Sequence, residues 1–125
     1  MPNPASPAPE GDFRAFADPT RLRILHLLQR GELCVGDLVT VLEVPQPTAS
    51  RHLAYLRHAK LVRTRKRGLW CFYSLVAVPS GLQRHLLDSI AVFRRSMPVL
   101  RDDVARLRVL LKTGGCCPAE RRDEA

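Results

Sequence analysis

The sequence predicts a mainly helical chain with a single β-hairpin, and three observations carry that prediction. Apolar residues recur at helical spacing after Asp18-Pro19 and again after Pro47. The stretch from Leu61 to Leu75 alternates instead, with aromatic and β-branched residues on either side of Lys66-Arg67-Gly68. Beyond it, Leu82, Leu86, Ile90, Phe93, Met97, Leu100, Val104, Leu107 and Leu111 form one stripe at steps of three or four.

Each element has a local cause. Residues 1–10 hold four prolines and are expected to form a disordered N-terminal arm without regular structure. Asp18 is a helix N-cap with Pro19 at the first helical position; Leu22, Ile24, Leu25 and Leu28 follow, and Gly31 stops the helix. A short helix is expected from about Val35 to Glu43, with Val35, Leu38, Val39 and Leu42 on its apolar face. Val44-Pro45-Gln46-Pro47 breaks the chain, and Pro47 suits the start of a helix from Thr48 to about Ala59. On that helix Ala49, Leu53 and Leu56 share the core side, while Thr48, Arg51, His52 and Tyr55 cluster on another. A strand at 61–65, a turn at 66–68 and a strand at 69–75 make the hairpin. Ser80 caps a long helical region, which Pro98 is expected to divide in two. Its stripe is longer than one small domain needs, so it is expected to bury against a second copy.

Charge narrows the partner. The chain carries a net +8 over 125 residues, with a pI near 10.2, which points to a polyanion, nucleic acid before an anionic membrane. No apolar run approaches the roughly 20 residues of a membrane span, and the proline-rich start has no apolar signal core. A cytoplasmic protein with reduced thiols is the expectation. Between Val44 and Leu87 there is no Asp or Glu but eight cations, an imbalance that an ordinary solvated surface does not show.

Two short helices, a proline-bearing turn and an amphipathic helix with Arg, His and Tyr outward make a helix-turn-helix. The N-terminal part of its second helix would enter the major groove. Arg51 suits guanine edges or phosphate, Thr48 suits either, and His52 reads equally as a groove contact or as packing. A hairpin directly after such a unit makes a winged helix, whose tip would carry Arg65, Lys66 and Arg67 to backbone phosphates. Trp70 and Phe72 are expected in the core rather than stacked on bases. The full expectation is a winged helix-turn-helix over residues 11–112 with a helical homodimer interface, followed by a cysteine-containing tail at 113–125. Two-fold symmetry would present two reading helices to a palindromic operator. No nucleophile–base pair, phosphate loop or metal-water site suggests an enzyme.

Three segments carry a family resemblance: Phe16-Ala-Asp-Pro-Thr-Arg-Leu-Arg-Ile-Leu25, Glu32-Leu-Cys-Val-Gly-Asp-Leu38 and Gln46-Pro-Thr-Ala-Ser-Arg-His-Leu-Ala-Tyr-Leu56. In this order they resemble the ArsR/SmtB family of metalloid- and metal-responsive repressors, and Glu32-Leu-Cys34-Val is most similar to its arsenic-responsive branch. The resemblance implies a homodimeric repressor that leaves its operator on binding an inducer. It also implies that Gln46 and Ser50 join Thr48, Arg51, His52 and Tyr55 at the DNA. The chain departs from that pattern in three places. Arsenic repressors of this kind carry three cysteines around position 34, whereas Gly36 and Val39 stand here at the second and third positions. The zinc-sensing branch uses Asp, His and Glu on the dimer helix; His85 and Asp88 occur here in the wrong order with no later His. Lys60 replaces the glycine usual after the reading helix, so either a left-handed turn there costs about 1 kcal/mol or the turn differs.

The tail Lys112-Thr-Gly-Gly-Cys-Cys-Pro supplies what the helix lacks. Trivalent arsenic is a soft thiophile, and Cys116 and Cys117 can both turn toward one ion if Gly114 and Gly115 provide the freedom. Tail-borne adjacent cysteines resemble arsenic-site variants elsewhere in the family. A third sulfur would come from Cys34, from Cys71, from a small thiol or from nowhere; in the last case methylarsenite suits the site better than arsenite. Closing the thiolates would reorient the end of the dimer helix and alter the spacing of the reading helices. Other readings remain: a thiol redox sensor, a sensor of other soft heavy metals, or a constitutive DNA-binding protein.

Overall fold

The computed structural model describes residues 9–116, in which six helices pack around a small three-stranded antiparallel sheet. Helix α1 (Pro9–Phe16) starts inside the stretch whose prolines argued against any regular element. Pro9 is tolerated because the first helical residues need no amide donor, and Glu10 and Asp12 favour the positive helix start. Asp12 is buried and accepts a 3.1 Å bond from Gln83 Nε2. Helix α2 (Pro19–Leu28) begins as the sequence predicts, with the Asp18 carboxylate accepting the Arg21 amide at 3.0 Å.

Strand β1 (Leu33–Cys34) leads directly into α3 (Val35–Leu42). The Cys34 sulfur caps that helix, accepting the Asp37 amide at 3.4 Å. Helix α4 (Gln46–His58) begins two residues earlier than its proline pattern suggested, with Pro45 as N-cap and Pro47 within the first turn. It closes with the Leu61 amide on the Leu56 carbonyl and the Lys60 amide on the Arg57 carbonyl. That closure needs a left-handed residue, and Lys60 adopts φ 61° where glycine would sit without strain.

Strands β2 (Val62–Arg67) and β3 (Trp70–Leu75) form the wing, and β1 pairs with the other edge of β3. Lys66 and Arg67, expected in the turn, are paired strand residues. The loop is Gly68-Leu69, because a two-residue hairpin needs a positive φ and Gly68 provides it at 63°. Phe72 is buried and packs with Cys34 and half-buried Trp70, as core residues should.

Helices α5 (Gly81–Phe93) and α6 (Pro98–Lys112) are divided where Pro98 requires. Ser80 and Gln83 form a reciprocal capping box at the start of α5. The apolar stripe departs from expectation. Ile90, Leu100, Val104 and Leu107 are buried inside the protomer's own core, while Phe93 and Leu111 stay exposed. The reason is that α6 folds back along α2 and α3 and spends its apolar face there. Arg106 reaches the Val41 carbonyl, and Cys116 beyond the end of α6 reaches Asp37 in the first turn of α3, so the two helices run antiparallel.

A buried ionic knot fixes that arrangement. Asp103 is fully buried on α6 and accepts two bonds from Arg23, at 2.8 and 2.9 Å, and one from Arg106. Arg23 and Arg106 also donate to the Leu42 and Val41 carbonyls at the end of α3, where positive charge complements the helix dipole. The bond to Asp103 raises the Arg23 pKa above its ordinary value, against the opposing effect of burial. No described helix is long and apolar enough to cross a membrane.

Candidate nucleic-acid interface and thiol site

The side of α4 expected to face a groove follows from its inward one. Ala49, Leu53 and Leu56 are fully buried, which turns Gln46, Arg51 and Tyr55 to solvent and leaves Thr48, Ser50 and His52 half-buried. Tyr55 is held by Arg21, whose guanidinium lies 4.1 Å from the ring centroid. Arg21 also donates to the Ala15 and Arg14 carbonyls, at 3.0 and 2.8 Å, and lies 3.3 Å from His52 Nδ1. His52 is therefore tied to the start of α2, with the Asp18 carboxylate 3.7 Å away. Burial is the main cause that lowers the His52 pKa; Arg21 and Arg51 add to it and Asp18 opposes it. Arg21 did not stand out in the sequence, because its role depends on where α1 ends.

On the wing, Lys66 and Arg67 are exposed next to the loop. Arg65 is placed differently from the expected tip: it pairs through two nitrogens with Glu32, at 2.5 and 3.0 Å, and stacks over Phe72 at 4.5 Å. Glu32 precedes β1, so this pair fastens the wing to the helical body. Leu69 at the tip is fully exposed.

The tail is built, and its glycines act by fixing a turn where the sequence suggested freedom. Gly114 and Gly115 both take positive φ, 97° and 72°. The Gly115 amide bonds the Leu110 carbonyl at 2.9 Å and the Gly114 amide the Leu111 carbonyl at 3.1 Å. This left-handed closure of α6 sends the chain back toward α3. There the Cys116 amide donates to the buried Asp37 carboxylate at 2.7 Å, and the Cys116 thiol lies 3.3 Å from Thr40 Oγ1.

Gly36 makes the approach possible. A Cβ at Gly36 would lie 3.1 Å from Cys116 Cβ, 3.8 Å from Cys34 Sγ and 3.9 Å from Cys116 Sγ. Cys34 and Cys116 thus meet on either side of one missing side chain, at the position where the arsenic pattern would have placed its second cysteine. Cys34 is disulfide-bonded, whereas Cys71 and Cys116 carry free thiols. Cys117 lies outside the described residues. Cys71 is not drawn into this site: β3 alternation puts it on the face opposite Phe72, beside Tyr73. Burial and a hydrogen bond with Cys71 push the Tyr73 hydroxyl up to about 12. Among the described residues no three His, Cys, Asp or Glu side chains group as a metal cage. Asp37 and Thr40 meet the tail here although the sequence assigned neither of them a role; only the returning tail gives them one.

Comparison with known proteins agrees with this architecture. The family model of the bacterial regulatory protein, arsR family, matches residues 18–64. Over 64 residues the chain is 53% identical to the arsenical resistance operon repressor of Escherichia coli (strain K12), covering 50% of this chain and 55% of that protein. The chain thus spans about half the length of that curated relative. HlyU from Vibrio cholerae N16961 superposes with a TM-score of 0.58 at 35% identity, over 71% of this chain and 90% of that one. The homodimeric winged helix-turn-helix DNA-binding domain Mb0332 from Mycobacterium bovis gives 0.55 at 26% identity, over 70% of this chain and 75% of that one. The matched family segment stops before β3, so it includes Cys34, Gly36, Asp37 and Thr40 but not the tail that brings Cys116 to them. With its helix-turn-helix, wing and ordered motifs in place, the chain belongs to the ArsR family of winged-helix transcriptional regulators, DNA-binding proteins rather than enzymes.

Proposed function

We propose that the protein is a homodimeric repressor that holds a palindromic operator and releases it when trivalent arsenic, as arsenite or methylarsenite, binds its tail thiolates. Gln46, Thr48, Ser50, Arg51 and Tyr55 read or grip the groove, and Lys66 and Arg67 take backbone phosphates. His52 orients the start of α4 rather than reading bases, and Arg65 braces the wing that carries the phosphate contacts. Cys116 and Cys117 are the inducer ligands, with Cys34 as the third sulfur. The observation that carries this reading is the docking of Cys116 beside Cys34 across Gly36. The site lies at the start of α3, where the helix dipole favours a thiolate over a thiol, and soft thiolates select arsenic over harder ions. Exposed Phe13 on α1 and exposed Val92 and Phe93 on α5 support a second copy as the cover for that side.

Release follows from what α3 is attached to. It is the first helix of the helix-turn-helix, and the Asp103 knot ties its far end to α6. Drawing the tail and Cys34 around one arsenic atom pulls both ends of that pair and shifts the separation of the two reading helices. A tenfold loss of operator affinity needs about 1.4 kcal/mol of coupling, within the usual range. The test is fluorescence anisotropy on a palindromic fragment at fixed salt, with the reduced chain titrated with arsenite and methylarsenite. The wild type should release DNA, and the Cys116→Ser/Cys117→Ser double variant should not. Release from the double variant at wild-type concentrations would overturn the site.

The disulfide at Cys34 favours a second reading, an oxidant sensor. Two thiols would pass two electrons and two protons to a peroxide, giving a disulfide and two waters from hydrogen peroxide, or one water and one alcohol from an alkyl hydroperoxide. Operator release by peroxide but not by arsenicals would select it.

A further inference from the structure

On the far side of the molecule, His26 is buried on α2, 6% exposed, and its Nδ1 is the one buried side-chain polar atom without a hydrogen-bond partner among the described residues. An orphaned buried nitrogen costs stability unless something reaches it. His26 lines a concave basin of about 340 Å³ together with Gln29, Arg30, Ala91 and Arg94. A second basin of about 380 Å³ shares Ala91 and Arg94 and adds Arg95 and Arg101. The side chains of Arg30, Arg94, Arg95 and Arg101 form no hydrogen bond or ion pair among the described residues, and no carboxylate lines either basin. The nearby Asp103 is fully buried and already engaged by Arg23 and Arg106. Four unneutralised guanidiniums around a hollow repel one another and present forked donors that match a tetrahedral oxyanion.

We infer that these two basins form a site for a small phosphate-class dianion, separate from both the thiol site and the DNA-reading face. Arg94 stands at their junction and bridges the ligand, Arg30 and Arg101 close it from either side, and His26 Nδ1–H donates from the floor. The charges of Arg94 and Arg30 already reach the His26 ring, holding its pKa below the ordinary value together with burial, the larger cause. An anion would reverse that influence. The placement argues against a duplex phosphate: α4 touches α2 near its start, through Arg21 and His52, and the basin residues His26, Gln29 and Arg30 lie toward its other end, about 8–14 Å along the chain at helical rise.

The full-length reduced chain is titrated with inorganic phosphate in zwitterionic buffer, with chloride holding ionic strength constant, by calorimetry and by histidine-side-chain NMR. Saturable binding with a downfield shift of the His26 ring and a raised His26 titration midpoint is the expected result. Arg30→Ala/Arg94→Ala should weaken phosphate binding at least about tenfold while leaving the melting temperature in chloride unchanged. Arg108→Ala, exposed and outside the basins, should bind as the wild type does. No binding beyond the chloride background would overturn the site, as would equal affinity in the double variant. A double variant that instead loses operator affinity in phosphate-free buffer, with a shallower salt dependence, would assign the arginines to DNA.

Discussion

Replacing Gly36 by alanine separates the thiol site from the stability of the fold. The added Cβ would sit 3.1 Å from Cys116 Cβ, inside the 3.4–4 Å of ordinary contact, so one partner must retreat by a few tenths of an ångström. Gly36 lies in the first turn of α3 and is held by helical bonding, whereas Cys116 is held from the α3 side by its 2.7 Å bond to Asp37 and the Thr40 contact. The tail therefore gives way. A hydrogen bond to a carboxylate contributes about 1.5–3 kcal/mol, so losing it lowers the docked population by about tenfold or more. The helix itself gains about 0.5–1 kcal/mol, because alanine loses less entropy than glycine on becoming helical. The two effects have opposite signs and can be read separately. The Cys116 amide proton, held on Asp37 in the docked tail, should exchange with solvent about tenfold faster in Gly36→Ala, with the urea midpoint unchanged or higher. Equal exchange rates with and without the methyl group would refute the docked tail, and with it the claim that residue 36 admits the thiol.

Lys60→Gly removes left-handed strain at φ 61° and should stabilise the chain by about 0.5–1 kcal/mol, seen as a melting temperature higher by a few degrees. Asp103→Asn leaves Arg23 and Arg106 around a buried neutral amide and should cost about 3–5 kcal/mol in urea unfolding, with α6 the first segment to lose amide protection. Burial, Arg94 and Arg30 hold the folded-state pKa of His26 below the unfolded 6.5, with Asp103 opposing. The unfolded chain therefore takes up the proton first as pH falls. Stability from this group is full above pH 6.5 and declines below it until the folded pKa is passed. Urea midpoints in phosphate-free buffer should fall from neutral pH toward about pH 5, and less steeply in His26→Gln. His52 shares the direction, so part of the slope should persist.

The starts of α2, α5 and α6 were legible because capping is local chemistry. Asp18, Ser80 and Pro98 sit where their side chains or rings can act, and the structure uses each of them there. At Lys60 the sequence left open a strained left-handed turn or a different one, and the structure keeps the strained one at φ 61°. What escaped was anything set by residues far apart in the chain. Arg65 reads as a tip cation until Glu32 is seen beside it, 33 positions earlier. Leu100, Val104 and Leu107 read as an interface stripe because periodicity reports which residues are buried, not against what. Gly114-Gly115 reads as slack because two glycines permit many conformations, and only the carbonyls of Leu110 and Leu111 choose one. The cysteines at 34 and 116 each looked incomplete, and the fold makes them neighbours.

That turn after α6 has a mechanical consequence. Any bridge between the returned tail and Cys34, whether through arsenic or through sulfur, ties off a ring of about 80 residues that runs from α3 through α6 and leaves α1, α2 and Leu33 outside; by chain entropy such a tie disfavours the unfolded ensemble by about 4–5 kcal/mol. The stimulus that loosens the grip on DNA would then leave the molecule harder to unravel. The idle regulator would outlast the working one under heat or protease, so a cell emerging from stress would still hold its stock of the protein, ready to resume once the bridge is undone.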